Sequence, residues 1–143
     1  MKETDVFQAP PEFETEELAA SKWQHIFKIF MYVILSKKRI YQEEMAMFAF
    51  MTKRVKSILS PNLILTDMML KDWFMLNREE VMQRVLIGQE ERAVQFHMDH
   101  LDEVEDKITI IRAMQSIAKC DGDLQSDERR LITYVAQQWR YAA

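Results

Sequence analysis

IFKIFMYVI at residues 26–34 and IIRAMQSIA at residues 110–118 carry their apolar side chains in the same phase. A shift of 84 positions lays Ile26, Phe27, Lys28, Phe30, Val33 and Ile34 over Ile110, Ile111, Arg112, Met114, Ile117 and Ala118. The spacing stays close to 3.6 residues, the mark of an amphipathic helix rather than a strand. Phase is kept beyond these segments. Ile40 falls over Leu124, Glu43-Glu44 over Asp127-Glu128, and Met47, Phe48, Phe50, Met51 and Val55 over Leu131, Ile132, Tyr134, Val135 and Trp139. Any two amphipathic hairpins share some of this, but keeping register across the intervening loop is a stricter demand. The pattern predicts two related helix-loop-helix units, 26–55 and 110–139, packed against each other.

The rest of the chain extends the same all-α pattern. Residues 1–14, with Pro10-Pro11, read as a flexible arm, and Thr15 followed by Glu16 and Glu17 suits a helix start, acids lying near the positive end of the dipole. A second helix is expected from Tyr41 to Leu59, stopped by Pro61. Thr66-Asp67 can cap a third through Leu76. Asn77 with Glu80 resembles a capping box for another, closed by Gly88. A weaker stripe at Ala93, Phe96 and Leu101 precedes helices at about 106–119 and 127–141. Two glycines and three prolines leave few turn formers for hairpins. The expected fold is one all-α domain over 15–143, with six or seven helices and short connections.

Composition bounds the function. A net charge of −4 argues against nucleic acid as the main partner, which calls for a basic face. One cysteine, Cys120, excludes an internal disulfide. The acidic N-terminus lacks the apolar centre of a signal peptide, and the longest apolar run, 29–35, is too short to span a bilayer. A cytoplasmic location is the expectation. Eleven methionines read chiefly as adaptable core filling. The stretch from Met45 to Met51 is apolar almost all round, so burial on several sides is expected; were one face open, it would offer a groove to a partner helix. The adjacent Lys53-Arg54 and Lys56 would then make peripheral contact with an acidic membrane or protein plausible.

AKCDGDLQSDER, residues 118–129, is the most informative stretch for function. Asp121, Asp123, Asp127 and Glu128 are hard oxygen ligands of the kind that calcium or magnesium takes. The order of residues is not that of an EF-hand, because the glycine stands second and the glutamate follows the first aspartate by seven positions. A tighter loop could join Asp121, Asp123 and Glu128 on one divalent ion, with Asp127 as a fourth ligand. A metal-free reading accounts for nearly as much. Gly122 can end one helix with a positive φ, and Ser126 can cap the next, with Asp127 and Glu128 facing its dipole.

The segment from Ala113 to Trp139 resembles the second half of the TerB-like family, the tellurite-resistance-associated helical domain. The matching positions are Ile117, Ala118, Asp121, Gly122, Leu124 and Glu128, and the closest likeness covers about 110–139. The earlier unit matches in apolar pattern and at Glu44. The resemblance implies a duplicated all-helical domain, a divalent cation held by an acidic cluster fed by both halves, and a non-enzymatic role in stress response or membrane-associated protein interactions. This chain departs from the pattern where the 84-residue shift sets Lys37 and Arg39 opposite Asp121 and Asp123. There a salt bridge could replace the ion. The alternative is a metal-free scaffold whose acidic loop only connects two helices.

Other constellations are weaker. His97 and His100 lie one turn apart, but zinc needs four ligands in tetrahedral array and only these two imidazoles share a face, so two ordinary histidines on a surface helix are expected. Cys120 beside Asp121 has no identifiable base and reads as a structural thiol. No glycine-rich phosphate loop and no Ser-His-Asp signature occurs, which points away from an enzyme.

Overall fold

The computed structural model describes residues 22–36, 41–120 and 126–140. Six helices and no strand run through them: α1 (Trp23–Leu35), α2 (Tyr41–Leu59), α3 (Asp67–Leu86), α4 (Glu90–Met98), α5 (Val104–Cys120) and α6 (Ser126–Gln138). The expected all-α fold is therefore the fold observed. The arm at 1–14 and the helix start at Thr15 lie outside the described residues.

α1 is the axis of the molecule. From Ile26 to Leu35 no residue is more than 5% exposed, and Trp23 is 2% exposed. A helix that is apolar all round must be enclosed, and α2, α3, α4 and α6 pack against α1. Beside it, α2 packs on α5, and α5 on α6. The two pairs that join the first hairpin to the second, α1 with α6 and α2 with α5, exchange places when one hairpin is exchanged for the other. At the start of these hairpins Lys22 Nζ donates to Asp106 Oδ1 at 3.0 Å, across 84 positions of sequence. Asp106 is buried, so this contact satisfies a carboxylate that water does not reach.

Aromatic side chains fill the space between α1, α2 and α3. Phe27 meets Trp73 edge-on at 4.9 Å between centroids, while Phe48 stacks on Trp73 at 6.0 Å and tilts against Phe74 at 5.1 Å. Burial is narrower in the Met45–Met51 stretch than its composition suggests. Phe48 and Met51 are buried, but Ala46 and Phe50 face outward, Phe50 at 45% exposure. The helix enclosed on every side is α1.

The expected break before Asn77 does not occur, and α3 runs unbroken from Asp67 to Leu86. No glycine or proline interrupts it there. Asn77 instead sits buried inside the helix and donates from Nδ2 to the carbonyl of Trp73 at 2.9 Å, which satisfies the amide without a cap. The start behaves as expected, with Thr66 Oγ1 accepting from the Met69 amide at 3.2 Å. Its end is a Schellman turn: Gly88 has φ +75°, its amide reaches the Val85 carbonyl, and the Gln89 amide reaches the Arg84 carbonyl.

Two substitutions separate the sources of stability. Ile29→Ala, at a wholly buried position of α1, should lower the unfolding free energy by about 2–5 kcal/mol in urea titration. A Cβ at Gly88 meets nothing within 4 Å, so Gly88→Ala costs only the left-handed backbone strain, about 1 kcal/mol.

Candidate functional site

Asp121 and Asp123, the leading candidates for an ion, lie outside the described residues, as do Lys37 and Arg39. Asp127 and Glu128 fall in the first turn of α6, where only their backbone is described. The first hairpin's counterpart of Glu128 is better defined. Glu44 on α2 is 2% exposed, and its two carboxylate oxygens accept from Arg78 Nε at 2.9 Å and Arg78 Nη2 at 3.3 Å. A carboxylate held in this two-pronged way already has a cation across it, with both oxygens engaged. Among the described residues, no group of three or more histidines, cysteines and acids is placed to hold a metal ion. The basic cluster of α2 is partly spent as well. Lys53 pairs with Asp67, and Lys56 donates to the Pro61 carbonyl.

The structure assembles a different constellation. All three histidines of the chain converge where the first turn of α1 meets the last turn of α4. His25 Nδ1 and His97 Nδ1 are 2.9 Å apart. Each ring adds about 1.15 Å from nitrogen to centroid, and the centroids are separated by 5.2 Å. The two nitrogens therefore point straight at each other, as in a linear N–H···N hydrogen bond. A tetrahedral zinc ion bridging them would set the nitrogens about 3.4 Å apart on bent approaches. One ring must carry its proton on Nδ1 and the other on Nε2.

His100 completes the cluster without joining the bond. Its ring stacks on His25 with centroids 4.2 Å apart and planes 10° from parallel. An ion lies near the plane of the imidazole that ligates it, so two parallel stacked rings cannot share one. His100 Nδ1–H donates to the Phe96 carbonyl at 2.9 Å, which fixes its tautomer. Phe96 leans on His97 edge-on and remains 58% exposed, roofing the cluster from outside.

Positive charge surrounds the pair. Lys28, on α1, is buried and donates to Glu80 Oε1 on α3 at 2.9 Å; Arg84 holds the other oxygen of Glu80 at 3.4 Å. Burial, then Lys28 and its neighbouring histidines, pushes His97 down to about 3. Burial followed by His100 and Lys28 pushes His25 down to about 4. Burial likewise raises the Tyr32 hydroxyl beside them. At neutral pH the histidine pair is uncharged, held by one proton shared along the 2.9 Å contact.

The expectation of two ordinary surface histidines is corrected here. His97 is 9% exposed and faces α1, while His100 lies exposed in the turn that follows α4. Spacing within one segment could not reveal His25, which lies 72 positions earlier in sequence. One sequence signal was available, since Gln24, His25 and Lys28 interrupt the apolar run of α1 and enclosed polar groups need partners.

The histidines set a pH dependence. Their folded-state values lie below the ordinary 6.5, so the unfolded chain binds more protons between pH 6.5 and about 3, and stability must fall as pH falls through that window. His97 alone should cost about 2 kcal/mol on going from pH 7.5 to pH 5, with a smaller addition from the half-exposed His25. Urea midpoints measured across that range check this, and His97→Gln should flatten the slope.

No protein-family model, no curated protein and no solved structure matches the chain.

Proposed function

We propose that the chain is a non-catalytic helical interaction module that docks a protein partner on the outer face of α3. The observation that carries this reading is the exposure of large apolar side chains along that helix. Met68, Met75 and Leu86 are 65%, 56% and 73% exposed. At 100° per residue they fall within about 20° of one line along α3. Asp72 and Glu79 are exposed within about 40° of the same line, and the residues flanking the helix include the exposed Ile64 and Ile87. An apolar stripe carrying acids suits an amphipathic helix with basic flanks. Among the described residues no helix is long and apolar enough to cross a membrane, so any membrane association on this reading is peripheral.

The TerB-like resemblance adds a cation to the proposal. On that reading Asp121, Asp123, Asp127 and Glu128 take calcium or magnesium, and the ion adjusts a module working in cytoplasmic stress or membrane-associated interactions. The engagement of Glu44 by Arg78 favours an ion held by the second hairpin alone over one fed by both. The alternative is a metal-free scaffold that uses the same α3 face.

Thermal unfolding of chelator-treated protein separates the two. An ion at a hundredfold its dissociation constant adds about 2.7 kcal/mol, which raises the midpoint by roughly 3–7 °C for a chain of this size. The cation reading expects such a rise with calcium or magnesium and its loss in Asp121→Asn. No rise with any divalent ion leaves the scaffold. For the docking face, Met75→Glu should change stability by less than about 0.5 kcal/mol, because the side chain it replaces is already in water. A larger loss would place Met75 in the core and remove the face from consideration.

A further inference from the structure

We propose that the His25–His97–His100 cluster is an acid-triggered latch: it clasps α4 to α1 while the Nδ1 pair shares one proton, and it releases α4 when both rings of the pair become cationic. The geometry carries this. With the pair neutral, one Nδ1–H donates to the other Nδ1 at 2.9 Å. A first added proton goes to the free outer nitrogen, Nε2, of the ring that donates, and leaves that bond intact. A second puts a hydrogen on both facing nitrogens, and a donor pointed at a donor along a straight 2.9 Å line cannot remain.

Among the described residues, the charged groups that face the pair already have partners of their own. From α1 the pair meets Lys28, and from α3 it meets Arg84. Glu80, the carboxylate of α3 in this region, is already shared by those two cations at 2.9 and 3.4 Å. In the turn that ends α4, His100 lies flat on His25, and Asp99 accepts from Gln95 at 2.7 Å. α6 contributes Tyr134, whose hydroxyl donates to Gln95 Oε1 at 2.8 Å. At the start of α5, Asp106 is held by Lys22 at 3.0 Å, and the buried acid of α2, Glu44, is held by Arg78.

α4 is also short, and besides the histidines it is held to α6 by Arg130 on Glu90 and Tyr134 on Gln95. It is nine residues long, the shortest helix described, and its buried apolar side chains are Ala93, Val94 and Met98. Short elements with few apolar anchors open first. Release would bare those three side chains and the face of α1 beneath them, an apolar groove that neutral pH conceals. The latch does not depend on the cation or the α3 face.

Hydrogen exchange of the full chain, read by mass spectrometry from pH 7.5 to pH 4.5 and corrected for intrinsic rates, tests the latch. The opening equilibrium of residues 90–98 should rise on the order of a hundredfold between pH 7 and pH 5, with between one and two protons taken up per opening. Amides of α2 should open with a larger free energy than those of 90–98 at every pH, because global unfolding takes up the same protons from a more stable starting point. Opening of α4 only together with α2, at one common free energy, would show ordinary acid unfolding and overturn the latch, as would an unchanged α4. The double variant His25→Gln with His97→Gln should lose the pH response. If that variant does not fold, imidazole titration of the unaltered protein by NMR decides: His25 and His97 protonating together well below 6.5, in step with α4 opening, supports the latch, and ordinary independent titration overturns it.

Discussion

A helix enclosed on every side can keep a polar side chain only where a neighbouring helix brings a partner to it, and α1 imposes that condition on the whole molecule. Its apolar residues draw α2, α3, α4 and α6 around it. Its polar exceptions then fix where those helices stop sliding. Lys28 requires Glu80 of α3, and His25 requires His97 of α4. Lys22, just ahead of the helix, ties the start of α5 through Asp106. Apolar packing supplies most of the stabilisation without direction, whereas these three contacts demand distances near 3 Å and so select one arrangement among many equally greasy ones. The aromatic cluster of Phe27, Phe48, Trp73 and Phe74 fills the volume that this arrangement leaves.

Much of the helical layout is legible in the sequence because it depends on local pattern. The α2 limits, the Thr66 cap and the glycine that closes α3 each follow from residues a few positions apart. Asn77 shows the limit of such reasoning. Its capping pattern is genuine, but a buried asparagine can satisfy itself on the carbonyl four residues back, and a helix with no glycine or proline then continues through it. The histidine pair was hidden for a different reason. His25 and His97 are brought together by two helix packings, and no spacing rule spans 72 positions. The polar interruption of α1 was visible, yet what it required was not.

The two sites suggested by the molecule differ in what holds them. Glu44, which the resemblance to the TerB-like pattern would set beside an ion, is instead a buried acid with a guanidinium across both oxygens. Breaking such a pair leaves an uncompensated buried charge, so its role is structural whatever Asp121 and Asp123 do. Among the described residues the histidine pair has no carboxylate of its own and lies near Lys28 and Arg84. That placement keeps them neutral, and neutrality is what their mutual hydrogen bond requires. An arrangement stable at neutral pH is thus made costly in acid by the same residues that give it direction.

The most direct test of this account is the state of the two facing nitrogens. In protein labelled with ¹⁵N at histidine and held near neutral pH, NMR should find one of His25 and His97 protonated at Nδ1 and the other at Nε2. It should also find a scalar coupling between the two Nδ1 nuclei across the hydrogen bond. Both rings protonated at Nε2, with no coupling between them, would contradict the bond that orients α4 on α1 and with it the ordering of helices around the central one.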